Sequence, residues 1–211
     1  NVLWLTAHSH TQTQILHDAT SDWYGAGRMY EYNVGATCGA DWSGLKDQLG
    51  IPDTTMTDGT PNGYAKLQID QLDYRLQWFN ARQNPIQAMA LYAPKVLRKD
   101  AYPGFAVYAN VFMAKPDTQV QVQIDYGEWQ NMKRVMQYDP NVLAQNSADA
   151  QADVLLSYDR IPEATLSTHL WRFALPTNLS VGEHKITVRA SDNWLGDVEQ
   201  TTSYRLLERE P

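Results

Sequence analysis

The stretch GATCGADWSGLKDQLGIPDTTMTDGTPNGY, residues 35–64, is the part of the sequence around which the predicted fold is organised. Glycine, proline and aspartate recur along it, a composition typical of irregular backbone rather than of regular elements. A long irregular segment in a compact chain is usually either functional or disordered. Trp23 and Trp42 argue against disorder, because disordered segments are poor in aromatic residues. We therefore expect an ordered loop.

On the C-terminal side of this loop, apolar and polar residues alternate with the two-residue period of a half-buried strand. The segments 64–69, 74–79 and 86–92 are short and separated by turn residues, which predicts an antiparallel meander. More short strands are predicted at 105–113, 118–126, 129–138, 169–175, 184–190 and 201–207, and a short helix within 141–157. The predicted fold class is mainly β: an antiparallel meander plus a β-sandwich of the immunoglobulin or fibronectin type, with few helices.

On the N-terminal side, Val2–Leu5 is a continuous apolar run, the pattern of a strand buried on both faces. A further strand is predicted at Met29–Val34, whereas 11–28 is polar and turn-rich. The chain opens as if within a strand and lacks the features of a signal peptide, so we expect it to be a fragment of a longer protein. The basic segment 94–103 is a candidate subdomain boundary.

The overall charge limits the possible partners. The chain has 211 residues, with 17 Lys and Arg against 24 Asp and Glu, a net charge of −7 and a pI near 5.1. This balance argues against a nucleic-acid partner or an anionic membrane surface. No apolar run approaches the length of a membrane span. Cys38 is the single cysteine, so no disulfide can form within the chain, and we expect an inert buried thiol.

Two histidines, His8 and His10, directly follow the first predicted strand. Neutral imidazole is the commonest transition-metal ligand among side chains, and this spacing lets both rings approach one point. The alternative is a pair of surface histidines in a loop. A metal site needs three or four ligands, and His17 and Asp18 are the nearby candidates. We expect His17 to be structural.

The loop 35–64 offers further candidates. Carboxylates can bind metal or act as acid and base, but an aspartate beside Gly or Pro more often hydrogen-bonds its own backbone. Trp42 is suited to stack on a sugar or base, or to pack in the core. The four aspartates considered are Asp41, Asp47, Asp53 and Asp58. No phosphate-binding glycine loop, cysteine pair or nucleophile elbow is present in the sequence.

Several motifs resemble the C-terminal domain of bacterial calcineurin-like metallophosphoesterases. The run Asp58–Tyr64, DGTPNGY, is the most specific of them. The segments that carry the resemblance are Cys38–Gly44, Gly50–Asp53, Met56–Tyr64, Met89–Pro94, Ser167–Trp171 and Gly182–Ala190. The resemblance implies that residues 1–33 are the C-terminal remnant of a catalytic domain and that residues 34–211 form an accessory β domain.

The same resemblance implies a metal-binding role at the N-terminus. Ala7-His8-Ser9-His10 is similar to the last metal-ligand motif of the catalytic domain, usually Gly-His-x-His, with Ala7 in place of the glycine. His8 and His10 would then be ligands of a centre of two divalent metal ions, and Trp42 and Asp41 are candidate substrate-binding residues. The other family motifs, Asp-x-His, Gly-Asp-x-x-Asp and Gly-Asn-His-Asp, do not occur in the sequence. Two histidines are too few ligands for two ions, so we expect the chain alone to be inactive and to bind no metal tightly.

The expected function is therefore that of a C-terminal fragment of a metal-dependent phosphoesterase, whose partners are its own catalytic domain and a phosphate ester. The alternative is a non-catalytic β-sandwich that binds glycans or a cell surface through aromatic residues such as Trp129 or Trp194. Absence of Asp-x-His and Gly-Asp-x-x-Asp upstream of Asn1 would exclude the first. The resemblance favours a periplasmic or secreted protein over a cytoplasmic one.

Overall fold

The computed structural model of the chain describes residues 2–27, 29–71, 73–82, 84–102, 104–154 and 160–208. Several predicted segments include residues outside these ranges: Arg28 in the segment 11–28, Pro103 in the boundary 94–103, residues 155–157 in the segment 141–157, and further residues in the domain ranges 1–33 and 34–211. The strands are β1 Val2–Thr6, β2 Thr13–His17, β3 Met29–Asn33, β4 Gly63–Asp70, β5 Asp73–Asn80, β6 Met89–Tyr92, β7 Val96–Arg98, β8 Ala106–Val111, β9 Gln119–Ile124, β10 Gln130–Asn131, β11 Lys133–Tyr138, β12 Leu166–Ala174, β13 Gly182–Asp192 and β14 Gly196–Leu207. The helices are the 3₁₀ helix Ala19–Ser21 and α1 Pro140–Gln151.

Two sheets form a β-sandwich, which confirms the predicted fold class. One sheet has the strand order β10-β9-β13-β14-β7, and the other has the order β11-β12-β8-β6. Alternate residues of β8, such as Val107 and Ala109, are fully buried against Val122 and Val188 of the opposite sheet. The two-residue period of these strands therefore builds one core between the sheets. Strand β7, inside the segment 94–103, pairs in parallel with β14 and so belongs to the sandwich.

The hairpin β4–β5 matches the first two strands of the predicted meander, with Tyr64 opposite Phe79 and Ile69 opposite Tyr74. The predicted third strand, 86–92, is corrected by the structure. It is shorter, as β6, and pairs with β8 of the sandwich rather than with β5. Side-chain alternation does not specify a partner strand, and the turn at Asn80, whose side chain donates to the carbonyls of Asn84 and Gln87, redirects the chain.

The N-terminal sheet has the order β1-β3-β2, with β1 parallel to β3 and β2 antiparallel to it. Strand β2 lies in the segment predicted to be turn-rich. The prediction that Val2–Leu5 is buried on both faces is wrong, since Trp4 is 56% exposed and Leu5 is 50% exposed. The reason is that β1 is an edge strand, and no described segment of the chain covers these side chains.

A second apolar core joins the N-terminal sheet and the hairpin to the sandwich. Its buried members come from all three parts of the fold and from the loop 35–64: Tyr32, Met56, Leu76, Trp78, Phe112 and Met113. The helix predicted within 141–157 is confirmed as α1, with Asp139 as its N-cap. No helix among the described residues is both long and apolar enough to span a membrane.

Candidate functional site

The loop that carries His8 and His10 is tied to the end of β3. The Asn33 side chain donates to Ser9 Oγ at 2.5 Å and to the Thr11 carbonyl at 2.9 Å, and the Val34 N–H donates to the Thr6 carbonyl at 2.8 Å. These bonds close the loop between β1 and β2. The two histidines are thus presented at one edge of the N-terminal sheet.

Positive backbone φ is concentrated at the candidate residues. Eight non-glycine residues in the described part of the chain have positive φ, and four of them are His8 (93°), His10 (52°), Asp41 (56°) and Trp42 (59°). Such conformations cost free energy and are found preferentially at functional sites. Ala7, which stands where the family usually has glycine, is not among them. The residues of the motif with positive φ are His8 and His10, so position 7 does not require glycine for this reason.

His10 is brought to the loop 35–64. Its Nδ1 donates to the Gly39 carbonyl oxygen at 2.7 Å and lies 3.3 Å from Asp41 Oδ1. Cys38 Sγ is 3.9 Å from the same nitrogen. The expectation of a buried thiol is wrong, because Cys38 is exposed in this turn. The structure therefore brings His10 close to Cys38 and Asp41, although 28 residues separate His10 from Cys38 in sequence.

The other candidate residues lie beside this group. His8 is exposed, and Trp42 is 55% exposed, so the packing alternative for Trp42 is wrong. His17, expected to be structural, is engaged within the N-terminal sheet, with Nε2 2.8 Å from Glu31 Oε2. Among the described residues no group of three or more His, Cys, Asp or Glu side chains is arranged to hold a metal ion.

Two of the loop aspartates are backbone caps, as expected. Asp47 Oδ1 accepts from the N–H groups of Leu49 and Ile51 at 2.9 and 3.0 Å. Asp58 Oδ1 accepts from the Thr60 N–H at 2.9 Å. Asp58 also has a second role, because its other oxygen, Oδ2, accepts from the backbone N–H of Gln12 at 2.6 Å. The cap in the DGTPNGY motif therefore also holds the chain two residues beyond His10.

Asp58 belongs to a buried polar network that reaches the sandwich. His169 on β12 lies with Nε2 3.1 Å from Asp58 Oδ2 and with Nδ1 2.7 Å from Asn110 Oδ1. The Asn110 amide donates to the Asp58 carbonyl and to Asp139 Oδ2, both at 2.9 Å. Both nitrogens of His169 therefore face acceptors, and Asp58 and His169 form an ion pair when the ring carries both protons.

The two carboxyl groups of the network have opposite pKa shifts. Burial alone would raise the pKa of Asp58, but hydrogen bonding to His169 and to two backbone N–H groups outweighs burial, and the pKa is lowered. For Asp139 burial dominates over the bonds from Asn110 and from the start of α1, and the pKa is raised. Of the two carboxyl groups, Asp58 is therefore the one that is stabilised as the anion.

Sequence reasoning did not find this network. His169 lies in an ordinary alternating strand pattern, and its partners are separated from it by 59 and 111 residues. The available signal was a polar residue at an inward position of a strand, since buried polar groups need partners. Gly59 lies against the network, because a Cβ there would be 2.4 Å from Asp139 Cγ, but the sequence shows only a turn glycine at this position.

The aromatic candidates for a binding surface are engaged within the chain. Arg189 stacks over the Trp129 ring at 4.1 Å, and the Trp194 ring lies 5.3 Å from Tyr30 and 5.6 Å from Tyr74. Trp194 also helps to line a pocket of about 340 Å³ between the N-terminal sheet, the hairpin and the β13–β14 turn. These contacts give both tryptophans a structural role.

The comparison with protein families gives one match. The model described as the C terminal of calcineurin-like phosphoesterase covers residues 31–196. The chain belongs to this family. Curated proteins and solved structures gave no match to the chain. Membership of this family implies a catalytic partner domain and, in general, dependence on metal ions.

The hydrogen bond made by His10 fits the role of a transition-metal ligand at that position. A carbonyl oxygen can only accept, so the hydrogen bond to Gly39 assigns the proton of neutral His10 to Nδ1 and leaves Nε2 with its lone pair. Metal-bound histidines almost always donate their other nitrogen in this way. His8 makes the second candidate donor on the same loop.

Proposed function

We propose that the full-length protein is a metal-dependent phosphoesterase to which this chain contributes two histidine ligands and an accessory β domain. The family match over residues 31–196 carries the proposal. His8 and His10 are assigned as ligands of a centre of two divalent ions, with the remaining ligands in the catalytic domain. Residues 1–33 are assigned to that catalytic domain and residues 34–211 to the accessory domain.

When bound, the ions supply positive charge that polarises a phosphoryl oxygen and lowers the pKa of water. The residues of this chain hold and shield the site. His10 offers Nε2 because Nδ1 is held by a carbonyl oxygen. Trp42 is exposed and directly follows Asp41 in the chain, and it is assigned to the rim that contacts the organic part of the ester.

The exposed side of β1 supports the same arrangement. Trp4 and Leu5 are each at least half exposed on an edge strand that directly precedes the histidine loop. Large apolar side chains on an exposed strand are typical of a surface that another part of the protein covers. We assign this cover to the rest of the catalytic domain, since it must reach His8 and His10 to complete the ligand set.

The test uses the full-length protein with a chromogenic phosphate ester, after metal removal and after reloading with Mn²⁺ or Zn²⁺. We expect turnover only after reloading, and a fall in kcat of about 100-fold or more in His8→Ala and in His10→Ala, because each removes a ligand. His17→Ala is the matched control, since it removes an imidazole that bonds to Glu31 instead. Residues 1–211 alone are expected to show no turnover. Full activity without metal, or wild-type rates in both ligand variants, would refute the proposal.

A further inference from the structure

The contact between His10 and the loop 35–64 joins residues 29 positions apart. On the histidine side the acceptors are the Gly39 carbonyl oxygen at 2.7 Å and the Asp41 carboxylate at 3.3 Å from Nδ1. Both acceptors come from the segment assigned to the accessory domain. The orientation of a candidate metal ligand therefore depends on a loop outside its own sheet.

The Gly39 carbonyl is held rigidly. A Cβ at Gly39, where φ is +52°, would lie 1.5 Å from the backbone oxygen of Thr54, so only glycine fits there. The Ala40 N–H donates to the same Thr54 oxygen at 3.2 Å, and the Thr54 hydroxyl donates to the Cys38 carbonyl at 2.5 Å. The peptide groups on both sides of Gly39 are thus fixed to Thr54, and the acceptor for His10 cannot move away without breaking these bonds.

Asp41 is placed by an unusual backbone conformation. It has φ of 56°, and its side chain is 72% exposed, while the His10 side chain is 28% exposed. A carboxylate this exposed gains little from an ion pair for stability. The contact of the Asp41 carboxylate with Nδ1 affects His10 instead. A carboxylate bonded to the ring nitrogen that does not bind the metal raises the basicity of a metal-bound imidazole.

We propose that Gly39 and Asp41 are positioning residues that orient His10 and fix its proton on Nδ1, so that Nε2 is the ligand atom. The inference rests on the proposed function, and it assigns to the accessory domain a direct part in building the metal site. Asp41 then acts on His10 rather than on a substrate. Groups that contact a ligand in this way typically change metal affinity by about 10- to 100-fold when they are removed.

The variants are chosen to respect the backbone at position 41. Asp41→Gly removes the carboxylate and tolerates positive φ, and Asp41→Asn keeps an acceptor oxygen in a residue that also tolerates it. We expect Asp41→Gly to weaken Mn²⁺ or Zn²⁺ binding to the full-length protein by about 10-fold, and Asp41→Asn to weaken it by about threefold or less. Asp70→Asn removes the same charge from an exposed site on the hairpin and should leave the affinity unchanged.

Two measurements separate positioning from a merely structural role. Competition with a chelator gives the metal affinity, and the ring ¹⁵N shifts of His10 in the metal-free protein show which nitrogen carries the proton. We expect Nδ1–H in the wild type and an unchanged thermal midpoint for metal-free Asp41→Gly. A ring with Nε2–H, or wild-type affinity in Asp41→Gly while His10→Ala loses metal, overturns this inference and leaves the proposed function intact. A wild-type protein that binds no metal overturns both.

Discussion

The Asp58 carboxylate accepts a hydrogen bond from the backbone N–H of Gln12 at 2.6 Å, two residues beyond His10. Asp58 is 1% exposed and pairs with His169 of the sandwich. Together with the bond from His10 to Gly39, this contact gives the histidine loop two attachments to the loop 35–64.

Asp58→Asn is expected to destabilise the protein by about 3 kcal/mol at pH 7, because it leaves His169 without its charged partner in the interior. Since the pKa of Asp58 is lowered on folding, its contribution is present above the unfolded value, near 3.8, and is lost as the pH falls through the folded pKa. Denaturant unfolding from pH 2 to 7 should therefore show a smaller acid-side loss in the variant.

Asp139→Asn tests the second buried carboxyl group of the same network. The pKa of Asp139 is raised on folding, so its contribution is present below 3.8 and is lost as the pH rises through the folded pKa. This variant should change the pH profile in the opposite sense to Asp58→Asn. Equal effects of both substitutions on the acid limb would contradict the assignment of the anion to Asp58.

Gly39→Ala is expected to cost about 3 kcal/mol or more, because the added Cβ would lie 1.5 Å from the Thr54 oxygen. Gly50→Ala is the matched control. Gly50 also has positive φ, +75°, but nothing lies within 4 Å of the added atom, so we expect about 1 kcal/mol from backbone strain alone. Chemical denaturation measures both. Equal losses in the two variants would show that the close approach to Thr54 is unimportant.

The contacts of His184 predict that the free energy of unfolding decreases as the pH rises above 6.5. Burial would lower its pKa, but the bonds from Nδ1 to Asp125 and from Nε2 to the Ser180 carbonyl outweigh burial and raise it. The stabilisation is therefore complete below the unfolded value, 6.5, and is lost as the pH rises through the folded pKa. Asp125→Asn, which suits the positive φ at position 125, should flatten the unfolding profile above pH 6.5. An unchanged slope would contradict the pairing.

Trp42 and Trp194 are expected to respond differently to truncation. Trp42→Ala should change the free energy of unfolding by no more than about 0.5 kcal/mol, since the ring is exposed, and should raise KM for the ester. Trp194→Ala should cost about 2 kcal/mol, because the ring packs on Tyr30, Tyr74 and Lys115. Unfolding curves and steady-state kinetics of the full-length protein give both quantities, and an unchanged KM in Trp42→Ala would remove it from the substrate site.

The fold class could be predicted from the sequence because alternation along strands such as β9 and β13 directly reports one buried face. Strand partners could not, since the same alternation fits any neighbour, and β6 pairs with β8 rather than with β5. The exposure of β1 could not be predicted from the sequence either. An apolar run indicates that a strand is covered, but it does not identify which part of the protein covers it.

The candidate site was also predictable only in part. His8 and His10 are two positions apart and follow a strand, so their spacing indicated them in the sequence. The acceptors that hold their loop are the Gly39 carbonyl, which accepts from His10, and Asp58, which accepts from the Gln12 N–H, across 29 and 46 residues. A backbone carbonyl has no signature in a sequence, and a capping aspartate looks the same with or without a second partner.

The pairing of Asp58 with His169, across 111 residues, also sets an order of events during synthesis. At ribosomal rates, roughly 6 to 22 seconds separate the emergence of these two residues. Until then Asp58 accepts from the Gln12 N–H without an imidazole partner from β12. A chain that ends before β12 would therefore keep both attachments of the histidine loop and lack the contact that ties Asp58 to the sandwich.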